Sequence, residues 1–152
     1  KTLRDNLDNI KTIVELGTYA GGTTIAMSRV VEDNAKIYTV DCFAINGSEI
    51  RDKVVANLKH YENIELLEMT TNQAAEQFNL PIDFLFMDAD HQDDSILNDC
   101  KKWLPKLRSG GIVVFDDYNN DDFTSVQRRV EEQTSSWAVI ASVDTIIIKQ
   151  KP

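Results

Sequence analysis

A stretch near the start of the chain, residues 13–23, restricts the possible folds more than any other segment. An apolar run of strand length leads into a loop that Gly17 and Gly21 punctuate, and Thr23 is in place to cap a following helix. That helix is predicted over residues 23–32, and its core face carries Ile25, Ala26 and Val30. A strand, a glycine loop and a helix N-terminus form a site for anions and nucleotides, because the glycines let a ligand approach the backbone. The stretch therefore predicts an α/β domain with a ligand at this loop.

The glycine spacing does not match a dinucleotide site. Tyr19 stands where the dinucleotide fingerprint needs its second glycine, which lets a pyrophosphate approach the backbone. Glu15 adds an acid at the end of the strand. Since a carboxylate suits a cationic or hydroxyl-rich ligand and repels a pyrophosphate, we expect a ligand of the first kind.

Length and charge limit the class of protein further. The chain has 152 residues, 42% of them apolar and 27% charged, and we expect one domain over residues 1–152. Its net charge of −9 argues against a nucleic-acid substrate and an anionic membrane surface. No apolar run reaches transmembrane length and no signal peptide opens the chain, so we expect no membrane partner. Cys42 and Cys100 lack metal or disulfide spacing, which favours a cytoplasmic protein, and the oligomeric state stays open.

Apolar runs alternate with helical patterns five times along the chain. The predicted strands cover residues 11–16, 36–41, 63–68, 82–88 and 112–116, and further helices cover 48–59, 71–78, 93–104 and 123–133. Other predicted elements are a lead-in helix over 2–10, a tight loop over 108–111 and a hairpin from runs at 137–141 and 145–148. Right-handed crossovers between parallel strands place helices on both faces of a sheet. We therefore predict a Rossmann-like, doubly wound, mostly parallel seven-stranded sheet with a C-terminal antiparallel hairpin.

Every predicted parallel strand ends in an acid. The acids are Glu15, Asp41, Glu68, Asp88 and the pair Asp116-Asp117. Ligands of doubly wound sheets bind beyond the carboxyl ends of the strands, where these side chains would meet. The acids therefore indicate a binding site at this edge of the sheet.

Two segments resemble known methyltransferases. The pattern Glu15-Leu16-Gly17-x-Tyr19-x-Gly21 resembles the first motif of class I S-adenosylmethionine-dependent methyltransferases, especially the catechol and caffeoyl-CoA O-methyltransferase branch. The run from Asp88 to Tyr118 is similar to a bacterial small-molecule methyltransferase family related to cephalosporin hydroxylases and macrolide sugar O-methyltransferases. The resemblance covers roughly residues 11–133. It implies S-adenosylmethionine as cofactor and methyl transfer to a hydroxyl of a small molecule.

The resemblance also implies a set of cofactor-binding residues. They are Glu15, Gly17, Thr18, Tyr19, Gly21, Thr23, Asp41, Phe43, Thr70, Thr71 and Asp88. Asp41 lies 24 residues after Gly17, near the spacing of an acid that binds ribose hydroxyls. Phe43 covers the adenine or packs in the core, and Thr70 and Thr71 contact the adenine edge or cap a helix. Tyr19 contacts the methionine part or packs under the loop.

The ends of the fourth and fifth strands carry the expected chemistry. Asp88-Ala-Asp90-His91 resembles the Asp-x-Asp-His segment of metal-dependent O-methyltransferases, and Asp116-Asp117 resembles their second acidic pair. Asp88, Asp116 and Asp117 are therefore predicted ligands of a hard cation such as Mg²⁺. His91 is the predicted base, since its unperturbed pKa lies near neutrality. Asp88 is also a predicted catalytic residue, because it would hold the cation. The alternatives are a solvated turn for Asp116-Asp117 and a loop or cap position for His91.

Two other functions fit part of the same pattern. In a metal-independent class I methyltransferase, the acids would only bind the cofactor. In a nucleotide-binding module, the same loop would hold a ligand without turnover. The residues themselves do not name the methyl acceptor, and sugars, catechols and other hydroxyl compounds all remain open.

Overall fold

A computed structural model describes residues 10–45 and 47–152. The predicted lead-in helix over residues 2–10 falls, apart from Ile10, outside the described residues. None of the helices in the described part of the chain has the length and apolar character needed to cross a membrane.

Seven strands form one sheet in the order β3-β2-β1-β4-β5-β7-β6. Their bounds are β1 Thr12–Leu16, β2 Lys36–Val40, β3 Ile64–Leu67, β4 Ile82–Met87, β5 Leu107–Phe115, β6 Ala138–Val143 and β7 Ile146–Gln150. The first five strands pair in parallel, whereas β7 pairs antiparallel with both β5 and β6. This confirms the predicted doubly wound sheet with its C-terminal antiparallel hairpin.

Five α-helices connect the strands, with bounds α1 Gly22–Ser28, α2 Gly47–Leu58, α3 Thr71–Gln77, α4 Asp93–Trp103 and α5 Thr124–Thr134. The start of α3 follows from a capping box, in which the Thr70 hydroxyl accepts from the Gln73 amide and the Gln73 side chain accepts from the Thr70 amide. In α4, acids occupy the first turn and lysines the last, which matches the helix dipole.

The main core lies between the sheet and α3, α4 and α5. It joins apolar residues of β1, β4 and β5 to Trp103 and Val130, both of which are fully buried. The Trp103 indole also donates to the Thr71 carbonyl at 3.2 Å, which ties the end of α4 to the start of α3. Since the strand order reverses between β1 and β4, a crevice opens beyond their carboxyl ends.

The limits of α1 differ from the prediction. Gly21 takes the cap position in a left-handed conformation with φ 78°, and Thr23 lies exposed in the first turn. The predicted capping role of Thr23 is therefore wrong, because the loop needs a left-handed residue at this point and glycine adopts that conformation most easily. The helix ends at Ser28 after 7 residues.

The buried face of α1 also differs from the prediction. Ile25 is half-buried, whereas Ala26 is exposed and Val30, which lies beyond the helix, is 83% exposed. Thr24 is the buried residue of the helix. A polar side chain takes this position because its hydroxyl donates to a buried carboxylate of β1, Glu15.

Residues 108–111 belong to β5 and do not form the predicted tight loop. The Gly110 amide donates to the Lys151 carbonyl at 2.9 Å, and the Lys151 amide donates to Gly111 at 3.0 Å. Pairing with the distant C-terminal end of the chain extends the strand, and the glycines fit an irregularity in the β4–β5 register.

Candidate active site

Gly17 connects β1 to the glycine loop at the bottom of the crevice. Its φ of 94° favours glycine, and a Cβ at this position would lie 1.9 Å from the Asp88 carbonyl oxygen. The Gly17 amide donates to the Val40 carbonyl at 2.9 Å. Gly17 is therefore needed for the close approach of β1 to the end of β4, whereas the sequence suggested that a ligand required it.

Asp41, at the end of β2, holds the next two residues of the loop. Its Oδ2 accepts from the amides of Thr18 at 3.1 Å and Tyr19 at 2.9 Å, and its Oδ1 accepts from the Phe43 amide at 2.7 Å. Tyr19 has a φ of 46°, and its side chain is 60% exposed. Asp41 thus shapes the loop, and its predicted contact with ribose hydroxyls would add to this structural role.

Glu15 lies beneath the loop and is completely buried. Its Oε2 accepts hydrogen bonds from the hydroxyls of Thr24 in α1 and Thr39 in β2. Its Oε1 is buried and has no hydrogen-bond partner among residues 10–45 and 47–152. Burial raises the pKa of this carboxyl to about 7, against the lowering effect of the two threonine hydroxyls.

A cavity of about 560 Å³ lies above the carboxyl ends of β1 to β4. This volume falls within the usual range for small-molecule sites. Six of the predicted cofactor-binding residues line it: Gly17, Tyr19, Asp41, Thr70, Thr71 and Asp88. The strand ends therefore bring together residues that lie 71 positions apart in the chain.

Other predicted cofactor-binding residues lie behind the residues that line the cavity. Phe43 is 6% exposed and packs with Val54 and Leu58 in a hydrophobic cluster, so its ring forms part of the core. Thr18 belongs to the loop and has a buried side chain, and Gly21 lies next to the same cluster as Phe43. Thr70 lines the cavity and also caps α3.

Sequence reasoning missed several residues that line the cavity. They are Val40, Cys42, Ala44, Ile45, Met69, Asn72, Ala89, Asp90 and Ser95. Ile45 is 89% exposed, and Met69 faces the same cavity from the end of β3. These apolar side chains were missed because neither belongs to a motif. The available signal was an apolar residue shortly after an acidic strand end, since Ile45 follows Asp41 by four positions and Met69 follows Glu68 directly.

An acidic cluster beside the cavity brings Asp88, His91 and Asp117 together. One ligand atom from each lies within 4.8 Å of the others. The His91 Nε2 lies 2.9 Å from Asp117 Oδ2 and 3.6 Å from Asp88 Oδ1. The imidazole stacks on Phe123 with a centroid distance of 4.4 Å, which fixes the plane of the ring.

Asp116, the third predicted metal ligand, is turned toward the β6–β7 hairpin. Its Oδ1 accepts from the Asp117 amide at 2.7 Å and from the Thr145 hydroxyl at 3.0 Å. Asp117 has a left-handed backbone with φ 53°, and its Oδ1 accepts from the Asn120 amide group at 2.7 Å. The structure thus brings Asp117 and Asp88 together, while Asp116 supports the turn that carries Asp117.

The charges of the cluster act on the imidazole. The nearby carboxylates of Asp88 and Asp117 raise the pKa of His91 above its ordinary value, although partial burial lowers it. Two carboxylates around one position suit a hard divalent cation, which prefers oxygen ligands. The donor set of Asp88 and Asp117 therefore fits such an ion, with the His91 nitrogen at its edge.

The stability of the protein is expected to fall as the pH rises from about 5 to about 8. The pKa of Glu15 is raised from 4.5 to about 7, so the folded state keeps a proton that the unfolded state loses. Its stabilising effect is complete below pH 4.5 and is lost as the pH passes about 7. This corresponds to about 3 kcal/mol in the free energy of unfolding.

Urea denaturation at about pH 5.5 and about pH 8 should capture about 2 kcal/mol of this effect. Asp99 and His91, whose pKa values are also raised, contribute in the same direction. The Glu15→Gln variant should therefore lose most, though not all, of the pH dependence. If the free energy of unfolding of this variant depends on pH as strongly as that of the parent, the pKa of Glu15 lies near its ordinary value in the folded protein.

Comparisons with known proteins identify the family of the chain. A family model described as "Methyltransferase domain" matches residues 14–118. An uncharacterized protein of Acanthamoeba polyphaga mimivirus is 30% identical over an alignment of 119 positions, which covers 72% of this chain and 52% of that protein. The chain thus spans about half the length of this curated relative.

Two solved structures show the same fold. A Staphylococcus aureus protein described as a candidate caffeoyl-CoA O-methyltransferase has a TM-score of 0.78 and 19% identity, over 99% of this chain and 79% of that one. The S-adenosylhomocysteine-bound methyltransferase of Podospora anserina has a TM-score of 0.74 and 16% identity, over 98% of this chain and 75% of that one. Because the family model matches more than half of the chain, the chain belongs to the methyltransferase domain family, with the fold of the class I S-adenosylmethionine-dependent methyltransferases.

Proposed function

We propose that the protein transfers the methyl group of S-adenosylmethionine to a hydroxyl of a small molecule, with a divalent cation such as Mg²⁺ at Asp88 and Asp117. One observation carries the proposal. Asp88 lines the 560 Å³ cavity and also belongs to the cluster with His91 and Asp117. A cofactor in the cavity would therefore lie next to groups that can activate an acceptor.

The cavity suits S-adenosylmethionine through its polar and apolar parts. Asp41 has carboxylate oxygens at the wall, which can accept from ribose hydroxyls in addition to the loop amides. Ile45 and Met69 supply apolar surface for a planar base. When bound, the cofactor supplies an electrophilic methyl group whose transfer needs an acceptor in line with the S–CH₃ bond.

The acidic cluster suits the activation of a hydroxyl. A divalent cation at Asp88 and Asp117 would lower the pKa of the acceptor hydroxyl. His91 would then accept the hydroxyl proton at Nε2, the nitrogen that faces both carboxylates. Asp116 stays a proposed third ligand through Oδ2, because both of its hydrogen bonds end on Oδ1.

The charge of the molecule supports a small-molecule acceptor. A net charge of −9 disfavours binding to the phosphate backbone of a nucleic acid.

Both cysteines are free thiols, Cys42 exposed and Cys100 buried, which supports a cytoplasmic setting. Sugars and catechols both fit these limits.

Calorimetry with S-adenosylhomocysteine, with and without Mg²⁺, tests the proposal. We expect the parent protein to bind the nucleoside and also to bind Mg²⁺. If S-adenosylhomocysteine does not bind, the proposal fails. Binding without any response to Mg²⁺ would favour the metal-independent enzyme instead, in which the acids serve the cofactor alone. Turnover of methyl-labelled S-adenosylmethionine on catechols or hydroxylated sugars would exclude a binding module without activity.

The Asp117→Gly variant tests the cation site. Glycine tolerates the positive φ of 53° at this position, so the substitution removes the carboxylate without straining the turn. Mg²⁺ should bind at least about tenfold more weakly, with little change in S-adenosylhomocysteine affinity. Asp144→Gly is the matched control, because Asp144 has a φ of 55° and an exposed side chain in the β6–β7 turn. Equal Mg²⁺ affinity in both variants would place the cation elsewhere.

A further inference from the structure

A chain of buried hydroxyl groups connects Glu15 to the glycine loop. The Thr39 hydroxyl lies 2.5 Å from Glu15 Oε2 and 2.6 Å from the Thr18 hydroxyl. The side chains of Thr18 and Thr39 come from the loop and from β2, and both residues are at most 4% exposed. Thr24 of α1 donates to the same oxygen of Glu15.

The direction of these hydrogen bonds follows from the number of protons. Each hydroxyl has one proton to donate, and the Thr39 proton goes to Glu15. Thr18 must therefore donate its proton to Thr39. Glu15 is the final acceptor for the whole chain, and it holds three separate elements: the loop, β2 and α1.

Glu15 is shielded from the cavity by the loop that it supports. It is 0% exposed, whereas Gly17 and Tyr19, which follow it in the loop, line the cavity. The backbone amide of Thr18 donates to Asp41 at 3.1 Å. The loop at the base of the cavity is thus held from below by Glu15 and from the side by Asp41.

We propose that Glu15 is a positioning residue, which fixes the glycine loop through Thr39 and Thr18 and does not bind the cofactor by its charge. The inference rests on the proposed function only for the identity of the ligand above the loop. Both threonine bonds to Glu15 end on Oε2, so the chain persists when Oε1 carries a proton. An amide oxygen in the place of Oε2 would accept the same two bonds.

Thr39→Val breaks the chain and leaves every charge in place. Valine has the shape of threonine and suits a buried strand, so the fold should be retained, which circular dichroism and thermal unfolding would check. In the ligand-free protein, hydrogen exchange of the Thr18 and Tyr19 amides should become about tenfold faster. The amides of β4 serve as an internal reference. Thr39→Ser is the matched control, since it keeps the hydroxyl and should restore slow exchange.

Calorimetry with S-adenosylhomocysteine then separates positioning from direct contact. We expect Thr39→Val to bind about tenfold more weakly than the parent. Thr39→Ser and Glu15→Gln should both stay within about threefold of the parent, because each keeps the chain of hydrogen bonds. A direct charge contact predicts the reverse order, with Glu15→Gln weak and Thr39→Val unchanged.

Amide exchange and calorimetry test different parts of the proposal. Unchanged amide exchange in Thr39→Val would overturn the positioning role, whatever the protein binds. A strong loss of affinity in Glu15→Gln would also overturn it, because only the charge of Glu15 is removed. If the parent protein does not bind S-adenosylhomocysteine, the proposed function fails, and the exchange measurement still decides the role of Glu15.

Discussion

Replacing Gly17 by alanine is expected to destabilise the protein by about 3–5 kcal/mol, a large share of the stability of a domain of this size. The new Cβ would lie 1.9 Å from the Asp88 carbonyl oxygen, and that oxygen belongs to the backbone. The clash can be relieved only if β1 and β4 separate at the base of the cavity. The φ of 94° adds further strain for any residue with a side chain.

Gly22→Ala is the matched control for this variant. Gly22 is the first residue of α1, and a Cβ there would meet nothing within 4 Å. Alanine favours the helix over glycine, so the control should be neutral or more stable by about 0.5–1 kcal/mol. Urea denaturation measures both variants. If Gly17→Ala unfolds at the same urea concentration as the parent, the close approach of β1 to Asp88 is not required for folding.

His91→Ala is expected to lower turnover by about a hundred- to ten-thousand-fold, which is the usual contribution of a positioned base. The imidazole faces Asp88 and Asp117 through Nε2, and Phe123 holds the plane of its ring. Removing the side chain leaves both carboxylates in place. Calorimetry should therefore find nearly unchanged affinities for S-adenosylhomocysteine and Mg²⁺, while methyl transfer to the acceptor found by screening is slow.

His60→Ala is the control for general effects of losing a histidine. His60 is exposed just after α2 and is not among the residues that line the cavity. We expect its turnover to equal that of the parent. Full turnover in His91→Ala would mean that His91 is only a loop residue. Water would then take the proton of the acceptor hydroxyl.

Most of the fold was predictable because its signals are local. Apolar runs of strand length end at acids in β1, β2 and β4, and helical patterns lie between them. One of the errors arose where a distant segment decides the conformation. Residues 108–111 look like a turn from their own composition, but the end of the chain pairs with them and extends β5.

The site was predictable in its residue types and less so in their roles. Asp41 and Asp88 line the same cavity because parallel strands place their carboxyl ends at one edge of the sheet, whereas Glu68 pairs with Arg51 outside that lining. Whether a given carboxylate faces the cavity depends on its hydrogen-bond partners. Asp116 accepts a hydrogen bond from Thr145, which lies 29 residues further along the chain. No sequence pattern near Asp116 indicates this partner.

The sequence by itself determined the α/β class, the glycine loop and the edge of the sheet at which the cavity lies. These follow from hydrophobic periodicity and from residue types within a few positions of one another. The tertiary structure alone decided that Gly17 serves the contact with β4, that Phe43 packs in the core and that Glu15 lies under the loop. Each of these depends on atoms brought close by folding from distant parts of the chain, and a local pattern does not encode such distances.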